Sequence, residues 1–255
     1  MHFLSAIHSD IGTVKNINQD SLCLKVAQSD FGEIVLAVVC DGLGGLSKGE
    51  LASKTVVEFF SRWFENQLPL KLTSGFTLKK IAVEWKENLE RLNTKIFKHG
   101  EKHKFQLGTT IVAMLCVDNH MMVCNIGDSR CYCLQNDIKQ ITKDHTVIEK
   151  ELNEGLITNE QAENDPRKSM LTQCIGASPV IKPDFFEMDI LSGTVFLLCS
   201  DGFRHEISSK ELLGVLKSSV LLDETIMKAS LIDLTELNKQ RGEQDNISSI
   251  LIKAI

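Results

Sequence analysis

Apolar runs that end in an acidic residue restrict the fold of this sequence more than any other feature. Val38-Val39-Cys40 leads into Asp41-Gly42, Leu197-Leu198-Cys199-Ser200 leads into Asp201-Gly202, and Asp245-Asn246 precedes the last apolar run, at 247–255. Short apolar runs of this kind are typical of buried strands. A polar residue directly after such a strand sits on a rigid element and can point into a shared crevice. The sequence therefore predicts that carboxylates from distant segments meet where strands end.

Carboxylates that meet in one crevice predict a cation site. They repel one another and raise one another's pKa values, and a divalent cation removes that conflict. Mg²⁺ and Mn²⁺ prefer oxygen ligands in octahedral arrangement and keep several waters when only a few carboxylates bind them. A single Asp-Gly pair is a common turn signal. Here the pair recurs after apolar runs, and a longer glycine loop, Asp41-Gly42-Leu43-Gly44-Gly45, follows the first run.

The overall composition narrows the possible partners. The 255 residues are 43% hydrophobic and 24% charged, which suffices for a sizeable core. The net charge is -6 and no dense run of Lys and Arg occurs, so we expect no nucleic-acid partner. No segment resembles a targeting sequence, and the longest apolar runs, such as 34–40, are too short to cross a bilayer. We therefore expect a cytoplasmic protein, monomeric and with no membrane association.

The eight cysteines agree with a reducing compartment. Five of them lie inside apolar, strand-like runs, where free thiols behave as small buried hydrophobic groups. No Cys-x-x-Cys pair occurs, and Cys131 and Cys133 alternate on a predicted strand, which favours packing over zinc binding. We expect no disulfides.

The order of predicted elements favours an α+β fold. Strands are predicted at 3–8, 21–27, 33–40, 110–117, 121–126, 130–134, 138–142, 185–189, 194–199 and 247–253, and helices at 48–64, 78–97, 209–217 and 223–238. Strands cluster with strands and helices come in pairs, so a layered α+β sandwich is expected. No linker or repeat appears, which predicts a single domain over 1–255. A polar insertion at about 144–170, with a capping box from Thr158 to Gln161, is expected to act as a flap.

Six motifs in this sequence resemble those of the metal-dependent protein phosphatases, also called type 2C protein phosphatases. They occur in the family's order over almost the whole chain, as Gly12-Thr13-Val14-Lys15-Asn16-Ile17-Asn18-Gln19-Asp20, Asp41-Gly42-Leu43-Gly44-Gly45, Gly108-Thr109-Thr110, Gly127-Asp128-Ser129-Arg130, Ser200-Asp201-Gly202 and Asp245-Asn246-Ile247-Ser248. The resemblance, to bacterial members in particular, implies a four-layer αββα sandwich. Two central antiparallel sheets would be flanked by helix pairs, with metal ions in a channel at one end.

The resemblance also implies roles for individual residues. Asp41 would bridge two Mn²⁺ or Mg²⁺ ions, the Gly42 carbonyl would bind one of them, and Asp201 and Asp245 would hold the other. Asp20 would act through metal-bound waters.

Asp128 has two interpretations. By the resemblance it would help Asp201 hold a third ion, as in bacterial members of the family. Alternatively, it is a turn carboxylate with a partner at the surface.

The activity implied is hydrolysis of phosphoserine and phosphothreonine in proteins by a water activated between two metal ions. Two adjacent cations can lower the pKa of a shared water and neutralise the phosphoryl oxygens. The substrates would be phosphorylated proteins, above all those of a bacterial-type serine/threonine kinase. A relative of the enzymes that act on anti-sigma-factor antagonists is the other possibility.

Three positions depart from the family pattern. Lys15 stands where the family usually has an Arg that binds the substrate phosphate; it keeps the charge but lacks the bidentate fork. The alternative for Lys15 is a solvated lysine on a loop. Gln19 stands where many members have Glu, and Leu43 replaces a His that animal members use as a proposed general acid.

Three other polar residues are expected to be structural. His145, at the entrance to the predicted flap, could donate a proton, but a hydrogen-bonded structural histidine is the favoured interpretation. Arg130 and Arg204 are expected to be structural partners of nearby acids.

Two alternative functions follow from the same residues. Residues 42–47 half match a dinucleotide-binding fingerprint, but Ser47 replaces the third glycine and Asp41 would place negative charge beside a pyrophosphate. The departures at Lys15 and Gln19 suggest instead a catalytically silent binding or regulatory module of the same fold. A silent copy would have no physical reason to keep an array of unpaired acids, so we expect activity.

Overall fold

The computed structural model describes residues 1–43, 48–72 and 75–255. The strands are β1 (Phe3–Asp10), β2 (Ser21–Ser29), β3 (Gly32–Cys40), β4 (Ile111–Val117), β5 (His120–Ile126), β6 (Arg130–Leu134), β7 (Ile138–Gln140), β8 (Asp184–Asp189), β9 (Val195–Cys199) and β10 (Ile247–Ala254). The helices are α1 (Gly49–Asn66), α2 (Leu68–Lys71), α3 (Leu78–His103), α4 (Val147–Asn153), α5 (Asn159–Glu163), α6 (Ser209–Leu216) and α7 (Glu224–Gln240), with a 3₁₀ turn at Asp201–Phe203. The end of the predicted glycine loop and of the dinucleotide fingerprint, residues 44–47, lies outside the described residues.

The strands form two antiparallel sheets. The orders are β1-β10-β9-β6-β7 and β2-β3-β4-β5-β8. In the described part of the chain every pair of neighbouring strands is antiparallel. A dinucleotide-binding βαβ unit needs parallel strands, so that alternative is wrong.

Three apolar layers hold the sheets and helices together. Helices α1 and α3 cover one face of the second sheet with Val56, Phe60 and Trp85. The two sheets pack face to face, and α6 and α7 cover the outer face of the first sheet with residues such as Leu212 and Leu231. The four-layer αββα sandwich that the resemblance implied is confirmed.

Most predicted elements agree with the structure to within a few residues. Helix α3 continues to His103, six residues beyond its predicted end, where Lys104 takes a left-handed conformation at φ 59°. The short helix α2 was not predicted; Pro69 lies in its first turn, a position that suits proline. The Thr158–Gln161 capping box is present. All eight cysteines are free and buried, including the five that the sequence placed in apolar strands.

No helix within residues 1–43, 48–72 and 75–255 combines the length and the apolar character that a bilayer span requires.

The layer between α3 and its sheet generates a prediction about stability. Leu89 is 0% exposed on α3, whereas Val83 on the same helix is 60% exposed. The change Leu89→Ala leaves a cavity and should lower the free energy of unfolding by about 2–5 kcal/mol. Val83→Ala should change it by no more than about 0.5 kcal/mol. Chemical denaturation measures both, and equal effects of the two changes would contradict this packing.

Candidate metal centre

The register of the second sheet brings two of the predicted acids together. Ser21, the first residue of β2, pairs with Cys40, the last residue of β3. Asp20 directly precedes the first and Asp41 directly follows the second, so both acids lie at the same end of this sheet. A side chain placed there is held by two paired strands, which leaves it little freedom to lose on binding a ligand.

The register of the first sheet places three more acids at its corresponding end. Cys199, the last residue of β9, pairs with Ser249 of β10 and with Arg130 of β6. Asp201 follows β9, Asp245 precedes β10 and Asp128 precedes β6. Three chain segments that are far apart in sequence therefore present carboxylates from one edge.

The two sets of acids face one another. Burial raises the pKa of Asp41 well above its ordinary value, and the charges of Asp20, Asp201, Asp128 and Asp245 raise it further, in that order. Contacts in the structure agree: Ser200, next to Asp201, donates to Asp20 at 3.0 Å, and a Cβ on Gly202 would lie 3.4 Å from the Asp245 side chain. The structure therefore brings together all five acids that the sequence singled out.

Asp20 is buried, with 9% of its surface exposed. Its pKa is raised to about 7, mainly by burial; hydrogen bonds with Ser248 and Ser200 oppose the shift, and the charges of Asp201 and Asp245 add to it. The hydroxyl of Ser200 donates to Oδ2 of Asp20 at 3.0 Å. One oxygen of Asp20 is therefore fixed by the protein.

Asp128 lies on the side of the cluster near Arg204. The pKa of Asp128 is raised to about 7, mainly by burial and then by the charge of Asp201, while Arg204 opposes the shift. The Arg204 guanidinium donates to the Asp128 carbonyl oxygen at 3.3 Å and lies 3.9 Å from its carboxylate. Asp128 is buried, with 6% of its surface exposed, and its cationic neighbour Arg204 is 14% exposed at the side chain.

Two carboxylate oxygens of the cluster have no protein partner. Oδ1 of Asp20 and Oδ1 of Asp201 are buried and make no hydrogen bond with any described residue. An unpartnered buried oxygen on a charged group is costly, and a hydrated divalent cation would satisfy both atoms, directly or through one of its waters. Among the described residues no group of three or more acids, histidines and cysteines by itself meets the geometry of a metal site. A hard cation that keeps several waters fits this open, all-oxygen arrangement.

Backbone contacts fix the turn that carries Asp41. The Thr110 hydroxyl accepts the Asp41 N–H at 3.1 Å, and the Thr109 hydroxyl donates to the Asp41 carbonyl at 2.9 Å. A Cβ on Gly42 would come within 2.5 Å of the Gln19 carbonyl oxygen and 2.6 Å of Gly49. Only glycine therefore fits after Asp41.

The turn that carries Asp201 packs closely against the turn that carries Asp245, at Gly202 and Asn246. A Cβ on Gly202 would overlap the carbonyl of Asn246. The Asn246 side chain in turn donates to the carbonyls of Ile11 and Ile17 and accepts the N–H of Gln19. Asn246 thereby connects the loop before Asp20 to the turn of Asp245.

The three residues that depart from the family pattern, Lys15, Gln19 and Leu43, lie around this cluster. Nζ of Lys15 is 3.0 Å from Oδ1 of Asp245, and the two side chains are 30% and 37% exposed. The Gln19 side chain donates to Glu50 at 3.4 Å. The Leu43 N–H donates to the Gly108 carbonyl at 3.0 Å. Of these three residues, only Lys15 offers a cation next to a predicted metal ligand.

His145 is a structural residue, as expected. Its Nδ1 accepts the Gly127 N–H at 3.1 Å and lies 2.9 Å from the Gln173 amide, and its Nε2 is 3.1 Å from Asp184. Both ring nitrogens are occupied, so neither is available to donate a proton to a substrate.

Arg130 is structural as well. Its guanidinium holds the carboxylate of Asp144 through two nitrogens, at 2.7 and 2.9 Å, and donates to the Tyr132 hydroxyl. Arg204 differs, because its partner Asp128 belongs to the acidic cluster.

Two neighbours of the cluster carry no signal in the sequence. Nδ1 of His205 is 3.1 Å from Oε2 of Glu243, and its Nε2 is 3.4 Å from Oδ2 of Asp201. Burial lowers the pKa of His205, but the hydrogen bond with Glu243 and the charge of Asp201 outweigh burial and raise it. Burial likewise raises the pKa of Glu243, yet its hydrogen bonds with His205 and with backbone N–H groups lower it overall.

Comparison with known proteins gives consistent matches along the chain. The family model described as protein phosphatase 2C matches residues 12–248. A serine/threonine phosphatase, stp, from Listeria innocua is 32% identical over 249 residues, which covers 96% of this chain and 93% of the relative.

Solved structures are similar over the same extent. The S. agalactiae serine/threonine phosphatase aligns with a TM-score of 0.83 and 27% identity over 100% of both chains. The catalytic domain of the serine/threonine protein phosphatase PstP, in complex with 2 manganese ions, aligns with a TM-score of 0.76 and 26% identity over 98% of this chain and 97% of that one.

The buried acids predict an unusual pH dependence without metal. A pKa of about 7 for Asp20 in the folded chain, against 3.8 for the free residue, means that folding takes up a proton in this window. The stability of the metal-free protein should therefore fall as the pH rises from about 4 to 7, and stay low above it. In chelator, Asp20→Asn should be more stable than the wild type by roughly 1–4 kcal/mol at pH 8, with little difference at pH 4.

Denaturation curves at several pH values measure this effect. The exposed Asp233 on α7 supplies the control, since Asp233→Asn should give no gain that depends on pH. Parallel curves for Asp20→Asn and the wild type would contradict the prediction.

Proposed function

The chain belongs to the protein phosphatase 2C family, and from that membership we propose which of its residues bind the metal ions and the substrate phosphate. Its function is metal-dependent hydrolysis of phosphoserine and phosphothreonine in proteins. We propose that Asp41, the Gly42 carbonyl, Asp201 and Asp245 hold two divalent ions. The observation that carries this assignment is the pair of buried carboxylate oxygens without a partner, on Asp20 and Asp201.

The proposed chemistry divides between the ions and the chain. When bound, a pair of divalent cations supplies an acidified water and neutralises the phosphoryl oxygens. Asp20, held by Ser200 at one oxygen, offers its other oxygen to a water and orients it. Asp41, fixed through its backbone by Thr109 and Thr110, keeps its carboxylate between the two sheets. Rigid groups of this kind need no rearrangement during the reaction.

Lys15 is proposed to bind the substrate phosphate. It is partly exposed and lies 3.0 Å from Asp245, so it can exchange that carboxylate for a phosphate dianion at the mouth of the centre. Lysine presents a point charge in place of the planar fork of arginine, which favours weaker and less directional phosphate binding.

The proposed ions are Mn²⁺ or Mg²⁺. The donors are oxygens only, which suits both ions. From the family resemblance, a third ion is proposed with Asp128 and Asp201 as its ligands; of the neighbouring charges, that of Asp201 raises the pKa of the buried Asp128 most. Arg204, 3.9 Å from Asp128, competes for the same carboxylate, so this ion should bind more weakly than the other two.

The proposed substrates are the phosphoproteins of a serine/threonine kinase of bacterial type. The relatives named above are bacterial serine/threonine phosphatases, which supports this class. The segment 144–170 is proposed as a flap over the substrate. Its base is held by Arg130 through Asp144 and by His145 through Gly127, so the flap would start from a fixed point next to Asp128.

Removal of Asp41 tests the metal assignment. With Mn²⁺ present, Asp41→Asn should lower kcat/KM for p-nitrophenyl phosphate and for a phosphothreonine peptide by at least about 100-fold, because it removes the proposed bridging ligand. The exposed control Asp233→Asn should retain activity. Turnover that persists in chelator, or that survives the Asp41 substitution, would refute the assignment.

Substitution of Lys15 tests the phosphate contact. Lys15→Gln should raise KM for p-nitrophenyl phosphate roughly two- to fivefold, the equivalent of a partly exposed charge contact of about 0.5–1 kcal/mol, and Lys15→Arg should lower it. Lys25, which pairs with Glu65 at 2.7 Å and is 35% exposed, provides a matched control through Lys25→Gln. If Lys15→Gln and Lys25→Gln give the same KM, Lys15 is a solvated loop residue.

A further inference from the structure

A series of side-chain and backbone contacts connects two of the proposed metal ligands, Asp245 and Asp201. It starts at the Glu243 carboxylate, of which 5% is exposed. Oε1 of Glu243 accepts the N–H groups of Gln244 and Asp245, both at 2.8 Å. Its Oε2 lies 3.1 Å from Nδ1 of His205, and Nε2 of the same ring lies 3.4 Å from Oδ2 of Asp201. Hydrogen bonds therefore connect the backbone of Asp245 through Glu243 to His205, and an ion-pair contact of 3.4 Å connects His205 to the carboxylate of Asp201.

This contact chain determines which oxygen of Asp201 is free. The His205 ring occupies the Oδ2 side, and Oδ1 of Asp201 is buried without a partner. The backbone N–H of His205 donates to the Asp201 carbonyl at 3.2 Å, within the same turn. This hydrogen bond keeps the His205 ring close to the Asp201 carboxylate. A carboxylate fixed at one oxygen presents the other in a defined direction, which is the function of the outer partners of metal ligands in proteins generally.

We propose that His205 and Glu243 form a positioning pair, which holds Asp201 and Asp245 in the arrangement that binds cations and so sets the metal affinity of the centre. This proposal rests on the proposed function, since it assumes that Asp201 and Asp245 are ligands. It adds two residues that do not touch the ions, the water or the substrate.

The segments around the two turns have other connections, so we expect the chain to fold without the pair. The Asn238 side chain donates to the Phe203 carbonyl at 2.9 Å, and Arg241 donates to the Glu206 carbonyl at 2.7 Å. Loss of His205 should therefore leave the turns attached while it frees the Asp201 carboxylate to rotate. In Glu243→Gln the amide oxygen can still accept the backbone N–H groups, while the charge that faces His205 is lost.

Calorimetric titration of the chelator-treated full chain with Mn²⁺ tests the proposal. His205→Gln and Glu243→Gln should each raise the Kd for Mn²⁺ by about 10- to 100-fold, the usual effect of losing an outer partner of a metal ligand. The double variant should lose no more than either single variant, because both changes interrupt one chain of contacts. A surface pair of the same type, His120 and Asp189 at 2.6 Å, supplies the controls His120→Gln and Asp189→Asn, which should leave the Kd unchanged.

Two further readouts separate positioning from general stability. In chelator the Tm of each variant should stay within a few degrees of the wild type. At saturating Mn²⁺ kcat should recover, so that the defect lies in the metal requirement. Unchanged Mn²⁺ affinity in both single variants, additive losses in the double variant, or a fall in Tm without metal that accounts for the loss would each overturn the proposal.

The wild-type titration separates a failure of the proposed function from a failure of the positioning pair alone. If the wild type binds no Mn²⁺, the proposed function fails and this inference fails with it. If the wild type and Asp233→Asn bind Mn²⁺ and the His205 and Glu243 variants bind it equally well, only the positioning pair is refuted.

Discussion

Mutual repulsion among five clustered carboxylates decides how the surrounding structure has to be built. Burial and neighbouring charges raise the pKa values of Asp20, Asp41 and Asp128 together. A folded chain holds such a cluster when the surrounding packing fixes it and when protons or a bound cation offset its charge. The apolar layers provide the first condition, because they bury both faces of each sheet. The favourable free energy of apolar packing therefore offsets the repulsion among the acids.

The contacts around the cluster have a common design. Polar groups of the protein bind the carboxylate or the backbone of three of these acids. Ser200 donates to the carboxylate of Asp20, and the hydroxyls of Thr109 and Thr110 bind the backbone of Asp41. Glu243 accepts the backbone N–H of Asp245. Each contact leaves the face toward the centre of the cluster open. Preorganisation of this kind matters for phosphate ester hydrolysis, where electrostatic stabilisation supplies much of the rate.

The sequence predicts the ends of strands better than the way in which strands are joined. Apolar runs gave the strands before Asp41 and Asp201 correctly, because a fully buried strand needs consecutive apolar residues. The pairing of β8 with β5 and of β1 with β10 could not be predicted, since it depends on contacts over long separations. The α+β class followed from the pattern of elements, while the four layers came from the family resemblance.

The same limit applies within the site. Motifs identified the five acids, because each stands in a short, recognisable segment. His205 and Glu243 stand 38 residues apart and meet only when their turns pack side by side. The partnership of Arg204 with Asp128 spans 76 residues and was equally hidden. Single polar residues of this kind give no periodic or local signal, so only the folded chain reveals them.

These carboxylates should jointly bind a pair of divalent cations. Anomalous diffraction from crystals grown with Mn²⁺ can decide whether they do, because it locates the metal itself. We expect two strong anomalous peaks, one between Asp41 and the Gly42 carbonyl and one among Asp41, Asp201 and Asp245. Manganese peaks found only elsewhere on the surface, or none at all at saturating Mn²⁺, would contradict it.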